Sequence, residues 1–324
     1  MDLLIVEPLD PEVLQWLEAR YALRYAPALA HEPPVFRREL AQVRAAIVPP
    51  SVALDETTLR SARRLCALGR LSAGAENIDL EACARASIEV VRPLAASAGA
   101  EAEFVVGALL QMLRRVPVVN EEGLLVGREL GSCTVGLIGM LPVARPLVGL
   151  LDAFGARTVG YDPALHETDA LYAAHGVQAL SLRELLEQAD AVCVLLSYFS
   201  RYRGLLGERQ LALCKPNQVL VSLTHSSLFD EAALADALSS GRLAAAWFDC
   251  MEPGVLEPGR PLAHLDTLQI TPRVASTTLE SRRRSAWAVA RRIDELLQGA
   301  TPKSEFRWSR PVDLADLADG RGSA

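Results

Sequence analysis

Thr134-Val135-Gly136-Leu137-Ile138-Gly139, then Pro142 to Phe154, then Arg157-Thr158-Val159-Gly160-Tyr161-Asp162-Pro163, is the stretch on which the fold reading turns. The run from Cys133 to Gly139 is apolar and reads as a buried strand. Pro142 to Phe154 reads as a helix, with a proline suited to its first turn. Arg157 to Tyr161 reads as a second strand that ends at Asp162. Strand, tight turn, helix and strand within roughly 30 residues make a β-α-β unit, which requires parallel strands. The same stretch from Thr134 to Gly155 is apolar enough to suggest a membrane span. Arg145, Asp152 and the prolines Pro142 and Pro146 interrupt it and favour strand–turn–helix.

The alternation continues on both sides. Upstream, Leu3 to Val6, Ala45 to Val48, Leu65 to Leu68 and Ile88 to Val91 read as strands. Helices are expected at Pro11 to Arg20, Asp55 to Arg63 and Asp79 to Ala86, the first with Val13, Trp16 and Leu17 on one face. A long helix is expected from about Ala100 to Arg115, with Ala98-Gly99-Ala100 as a hinge between domains. Downstream, strands at Ala191 to Leu196, Gln218 to Leu223, Ala244 to Phe248 and Leu268 to Thr271 alternate with helices at Leu182 to Gln188, Glu208 to Leu213 and Asp230 to Ser239. Thr277 with Glu280 reads as a capping box for a last helix over about Thr278 to Gln298. The pattern implies parallel sheets covered by helices on both faces. The stretch from Thr301 to Ala324 is polar and is expected to fray, with Phe306 and Trp308 able to dock on a neighbour.

The chain has 324 residues, enough for two domains, and a formal charge of −7. That charge argues against a nucleic-acid partner, which needs a basic face to neutralise phosphates. The start, Met1-Asp2-Leu3, lacks the basic region of a secretory signal, so a cytoplasmic location is expected, with no membrane partner. The six cysteines, Cys66, Cys83, Cys133, Cys193, Cys214 and Cys250, are scattered without a C-x-x-C pair, and there are five histidines. No metal site is expected, and each thiol reads as a small buried apolar group in a reducing compartment.

Several stretches together resemble the D-isomer-specific 2-hydroxyacid dehydrogenase family. They are Gly74-Ala75-Glu76-Asn77-Ile78-Asp79, the β-α-β unit above, Leu228 to Leu234, Ser240 to Ala244, Phe248-Asp249, Glu252-Pro253 and Thr271-Pro272, in order from about Leu3 to Gln298. The resemblance implies an α/β protein of two doubly wound parallel-sheet domains flanking a cleft. A flavodoxin-like substrate domain would take 1–98 plus 282–324, and a Rossmann-type dinucleotide-binding domain 99–281. It implies NAD as cofactor, a small carboxylic acid as substrate, and a homodimer formed through the cofactor domain.

A dinucleotide loop of this type uses three glycines: for a tight turn, for close approach of backbone to pyrophosphate, and for helix–strand packing. The three positions here hold Gly139, Leu141 and Ala144. Leu141 puts a side chain where backbone should meet phosphate, and Pro142, ahead of Val143, has no N–H to donate. Diphosphate binding is therefore expected to be weakened. Asp162 stands 23 residues after Gly139, where the resemblance implies an acid on the adenosine ribose. The competing reading is a strand-end Asp that caps its own turn. The resemblance makes Thr224 a further cofactor-loop residue and Asp249 a nicotinamide contact, against an ordinary polar residue at a strand end.

Reducing a 2-oxo acid requires a cation for the carboxylate and an acid to protonate the carbonyl oxygen as hydride arrives. The family pattern supplies Arg, Glu and His in that order along the chain. Here Glu252 stands, but the Arg position is His225 and the His position is Arg273. The two residue types have changed places. Arginine keeps its proton near neutral pH, so Arg273 cannot be the acid/base. Three readings stay open: Arg273 grips the carboxylate while His225 moves the proton; Glu252 and Arg273 pair only to hold loops and redox chemistry is lost, leaving a binding protein; or the cleft runs non-redox proton-transfer or lyase chemistry. Gly74 and Ala75 would add backbone donors for the carboxylate.

Overall fold

The computed structural model describes all residues except 73, 76, 116–117, 141, 197–201, 250, 253 and 302–324. The chain divides into two units. One comprises Met1–Ser97 with the described residues from Ser276 onward, and the other comprises Ala98–Ala275.

In the first unit, β1 (Leu3–Ile5), β2 (Leu23–Tyr25), β3 (Ala45–Ile47), β4 (Ala67–Gly69) and β5 (Glu89–Val91) form a parallel sheet in the order β2-β1-β3-β4-β5. This is the flavodoxin-like strand order. Leu3, Leu4 and Ile5 are fully buried, as expected of a central parallel strand covered on both faces. The helices are α1 (Pro11–Glu18), α2 (Pro33–Leu40), α3 (Glu56–Ser61) and α4 (Leu80–Arg85). Asp10, Asp55 and Asp79 cap α1, α3 and α4 by accepting from Glu12, Thr58 and Ala82 N–H, the usual remedy for a helix's unpaired first amides.

Helix α5 (Leu94–Arg115) begins in the first unit and runs into the second. Ala98, Gly99 and Ala100, expected as a hinge, lie inside it. The small residues there extend the helix, with Ala98 and Ala100 buried. A short antiparallel hairpin, β6 (Val118–Val119) with β7 (Leu125–Val126), follows.

The second unit is built on β8 (Thr134–Ile138), β9 (Arg157–Tyr161), β10 (Gln178–Ala179), β11 (Ala191–Val194), β12 (Gln218–Ser222), β13 (Leu243–Phe248) and β14 (Leu268–Ile270). They run parallel in the order β10-β9-β8-β11-β12-β13-β14. The order reverses between β8 and β11, and the carboxyl ends of strands at such a reversal are where open α/β sheets bind ligands. Alternate strand residues feed the two faces. Val135, Leu137, Cys193, Val219 and Val221 pack with Val105 and Leu109 of α5 and with Leu147 and Leu151 of α6 (Ala144–Phe154). Val192, Val194 and Leu220 pack with Leu185 of α8 (Leu182–Gln188) and Leu234 of α10 (Glu231–Ser239). The remaining described helices here are α7 (Ala170–His175) and α9 (Glu208–Leu211).

Helix α11 (Leu279–Leu297) returns to the first unit, where Ala286, Val289, Ala290 and Ile293 pack on β1, β3 and β4. A Cβ on Gly69 would lie 2.7 Å from Val289 Cγ1, so glycine in β4 admits the helix at this distance. Glu89 and Arg292 lock α11 to β5 by two parallel hydrogen bonds of 2.8 Å. Thr278, not Thr277, caps α11 by accepting from Ser281 N–H.

Candidate active site

The turn after β8 is tied down by its own backbone. Gly139 N–H donates to Tyr161 O at 2.7 Å, and its φ is +108°. A Cβ there would stand 2.8 Å from Leu196 N and 3.0 Å from Leu195 C, at the carboxyl end of β11. Only glycine passes this close at this dihedral. Leu141 lies outside the described residues. Pro142 and Val143 precede α6, which starts at Ala144, two residues later than expected; Val143 is its N-cap and supplies no side-chain cap. Proline at 146 still falls in the first turn, where its missing N–H costs no helical bond.

Asp162 is buried, and it faces inward to this turn. Its Oδ2 accepts Met140 N–H at 2.8 Å, and its Oδ1 accepts Ala164 N–H at 2.9 Å. The carboxylate thus caps its own turn. Burial, then the Asp162 charge, pushes the neighbouring Tyr161 and Tyr172 phenols up, Tyr172 to about 12, so both stay neutral. Tight turn, adjacent helix start and strand-end acid together fit the diphosphate and ribose of a dinucleotide.

The carboxyl ends of β12, β13 and β14, which are adjacent strands, each carry one candidate catalytic residue: His225, Glu252 and Arg273. Thr224 is buried, and its hydroxyl donates to Leu196 O at 2.8 Å, tying the loop after β12 to the one after β11. His225 Nδ1 accepts Ser227 N–H at 3.3 Å and pairs with Ser227 Oγ at 2.9 Å. Accepting at Nδ1 leaves the ring proton of the neutral imidazole on Nε2. Glu252 Oε1 stands 3.8 Å from the same Nδ1; the His225 side chain is 17% exposed and that of Glu252 45%. Glu252 N–H donates to Ser226 Oγ at 3.1 Å, so one short serine turn seats both residues.

Arg273 adopts φ +56°, a left-handed conformation unusual for a residue with a side chain. Asp249, buried at the end of β13, takes four hydrogen bonds from this loop. Its carbonyl accepts Arg273 N–H (2.8 Å); its Oδ1 accepts the Thr271 hydroxyl (2.6 Å) and Val274 N–H (2.9 Å); its Oδ2 accepts Ala275 N–H (2.8 Å). Trp247 Nε1–H donates to Thr271 Oγ1 at 3.2 Å, and Phe104 meets the Trp247 ring edge-on at 5.5 Å.

Gly74 and Ala75 belong to the first unit and follow β4; Ala75 is buried, and its carbonyl accepts Ile78 N–H. Among the described residues there is no cluster of three or more His, Cys, Asp or Glu able to hold a metal ion, and no helix long and apolar enough to cross a membrane.

Residues 108–275 match the family described as D-isomer specific 2-hydroxyacid dehydrogenase, NAD binding domain. The chain belongs to the D-isomer-specific 2-hydroxyacid dehydrogenase family. It is 30% identical over 295 residues to the (S)-sulfolactate dehydrogenase of Chromohalobacter salexigens, covering 88% of this chain and 95% of that one. It is 29% identical over 308 residues to the D-3-phosphoglycerate dehydrogenase of Methanocaldococcus jannaschii, covering 92% of this chain and 57% of the relative. The chain spans about half the length of such phosphoglycerate dehydrogenases, 49% in Mycobacterium tuberculosis. Among solved structures, the TT0316 protein of Thermus thermophilus is similar at TM-score 0.74 and 26% identity, over 94% of this chain and 99% of that one. The D-lactate dehydrogenase of Aquifex aeolicus, complexed with NAD and lactic acid, shares the fold at TM-score 0.75 and 23% identity, over 92% and 96%.

Within this family's NAD binding domain, the structure brings His225 and Glu252 together, joins Arg273 to Asp249 through the backbone, and joins Gly139 to Asp162 through Met140. The side chains of Thr224, Asp162 and Asp249 all engage the protein's own groups. Reading the sequence missed Ser226 and Ser227 as the seat of the His225–Glu252 pair, and Asp249 as a brace for Arg273. The signals were present in Ser226-Ser227 and in Thr271, whose hydroxyl serves the brace, but linking them needs adjacency across strands.

Proposed function

We propose that the chain is an NAD-linked oxidoreductase of small 2-oxo or 2-hydroxy acids in which His225 moves the proton and Arg273 holds the substrate carboxylate. One observation carries this: His225 and Glu252 approach to 3.8 Å at the strand ends where the domain's ligand site belongs. The Nε2–H of His225 can donate to a carbonyl oxygen, with the Glu252 carboxylate 3.8 Å from the other ring nitrogen. Arg273 offers a planar, permanently charged fork suited to a carboxylate. Gly74 and Ala75 are carried over as backbone contributors to substrate binding, and 1–98 plus 282–324 as the substrate domain. Gly139, Leu141, Pro142, Val143, Asp162, Thr224 and Asp249 mark the cofactor side of 99–281, where NAD supplies or accepts hydride when bound. A cytoplasmic homodimer joined through this unit completes the proposal. The exposed apolar Val119, Leu124 and Leu125 on and beside the β6–β7 strands support such an interface.

A second reading has a specific observation behind it. Asp162, Thr224 and Asp249 are each satisfied internally, and Leu141 occupies a glycine position, which favours a protein that binds small acids, or moves protons, without redox turnover. Titration with NADH followed by assays on glyoxylate and hydroxypyruvate separates the two. The first reading expects NADH binding, turnover, and a fall of roughly 10²–10⁴-fold in kcat for His225→Ala. Absence of NADH binding at millimolar concentration, or turnover untouched in His225→Ala, overturns it.

A further inference from the structure

We infer that Asp249 is a positioning residue for Arg273, holding the arginine loop in its left-handed turn; the functional half of this inference rests on Arg273 being the group that grips the substrate carboxylate.

Four observations converge. Residue 273 stands at φ +56°, a conformation unfavourable for any residue with a Cβ and kept only where surrounding structure imposes it. Asp249 supplies that imposition on both sides of the strained residue: the Thr271 hydroxyl before it, Arg273 N–H itself, and Val274 and Ala275 N–H after it. Asp249 is in turn fixed, because its own N–H donates to Ser222 O at 2.9 Å and it is 5% exposed at the end of β13. Trp247, two residues earlier, extends the brace by donating to the Thr271 hydroxyl, which in turn donates to the Asp249 carboxylate.

The three carboxylate contacts are therefore spent on the loop after β14. Asp249 acts through the geometry of Arg273. Glycine would relieve the backbone at 273, and the chain instead carries arginine there under a dedicated clamp. Strain retained around a charged side chain at a sheet's carboxyl edge is what a binding group requires.

The test uses the full chain. Asp249→Asn keeps the shape and removes the charge and one acceptor; Thr271→Val is the milder variant should the first fold poorly. Hydrogen exchange at Val274 and Ala275 should quicken roughly 10–100-fold in Asp249→Asn, the size of a lost charge-assisted hydrogen bond. NADH affinity is measured on the same variants. Oxalate, the probe for the carboxylate site, should bind roughly tenfold more weakly, and that loss should vanish when Arg273→Ala is already present, because a residue acting through another shows no separate effect. Unchanged exchange in both variants overturns the clamp. Additive losses in the double variant, or lost NADH affinity with exchange intact, overturn the positioning role. Quickened exchange in a protein whose unaltered form binds no oxalate establishes the clamp and removes the carboxylate-grip reading alone.

Discussion

Replacing Gly139 by alanine should damage the second unit more than any other single methyl added to a glycine of α6 or its flanks. The new Cβ would meet the backbone of Leu195 and Leu196 at 2.8–3.1 Å, and main-chain atoms cannot rotate away as a side-chain tip can. Overpacking of this kind costs about 1–3 kcal/mol. The φ of +108° adds about 1–2 kcal/mol for a residue with a Cβ. Restricting the unfolded chain returns about 0.4–1 kcal/mol. The net loss is about 1–4.5 kcal/mol. The unit spans Ala98–Ala275, 178 residues counted inclusively, a size for which each kcal/mol moves Tm by about 2–4 °C. Calorimetry on the full chain should show a transition lowered by about 2–18 °C. Gly149→Ala is the control: it lies inside α6 with nothing within 4 Å of the added methyl, and should stabilise by about 0.5–1 kcal/mol. A Gly139→Ala protein melting within ~1 °C of the parent, less than the shift expected per kcal/mol, would refute the reasoning, since the turn would then tolerate what its geometry forbids.

Arg292→Met should destabilise the first unit by about 3–5 kcal/mol, because it leaves the Glu89 carboxylate, 8% exposed, without its guanidinium; denaturant unfolding measures it, and adding Glu89→Leu should recover most of the loss. At the start of α8, the Ser181 hydroxyl, then its N–H, hold the Glu184 carboxyl below its ordinary range. A lowered folded pKa means the contribution is present above the unfolded value and is lost as pH falls through the folded one. Thermal melts of Glu184→Gln should therefore fall less steeply than the parent's on acidification below about pH 4.5, and parallel slopes would contradict the capping box as the cause.

Most of the scaffold was legible because it repeats one signal. Runs such as Leu3-Leu4-Ile5 and Val219-Leu220-Val221 are apolar at every position, which suits strands buried on both faces. The elements that escaped reading lack that signal. Leu23-Arg24-Tyr25 forms an edge strand with Tyr25 42% exposed, and Gln178-Ala179 is two residues long at the edge of the other sheet. Ala98-Gly99-Ala100 reads as a hinge, and the two units do divide at Ser97 and Ala98, yet the chain passes that point as continuous helix. At the site, residue types could be read but partners could not. Nothing local to Asp249 says whether its oxygens meet a cofactor or the amides of Val274 and Ala275, since those lie 25 and 26 positions away.

The return of α11 to the first unit constrains how the protein can be made. The layer of Leu3, Ile5, Ala45 and Ile47 is closed by Val289, Ala290 and Ile293 from the far end of the chain. At ribosomal rates of about 5–20 residues per second, the stretch from Ser97 to Leu297 takes roughly 10–40 s to emerge. Through that interval one side of the N-terminal sheet has no lid, while the contiguous unit behind it can complete its own interior unaided. The Arg292–Glu89 clasp can form only after that interval, and the earliest strands translated are among the latest to be shielded from water.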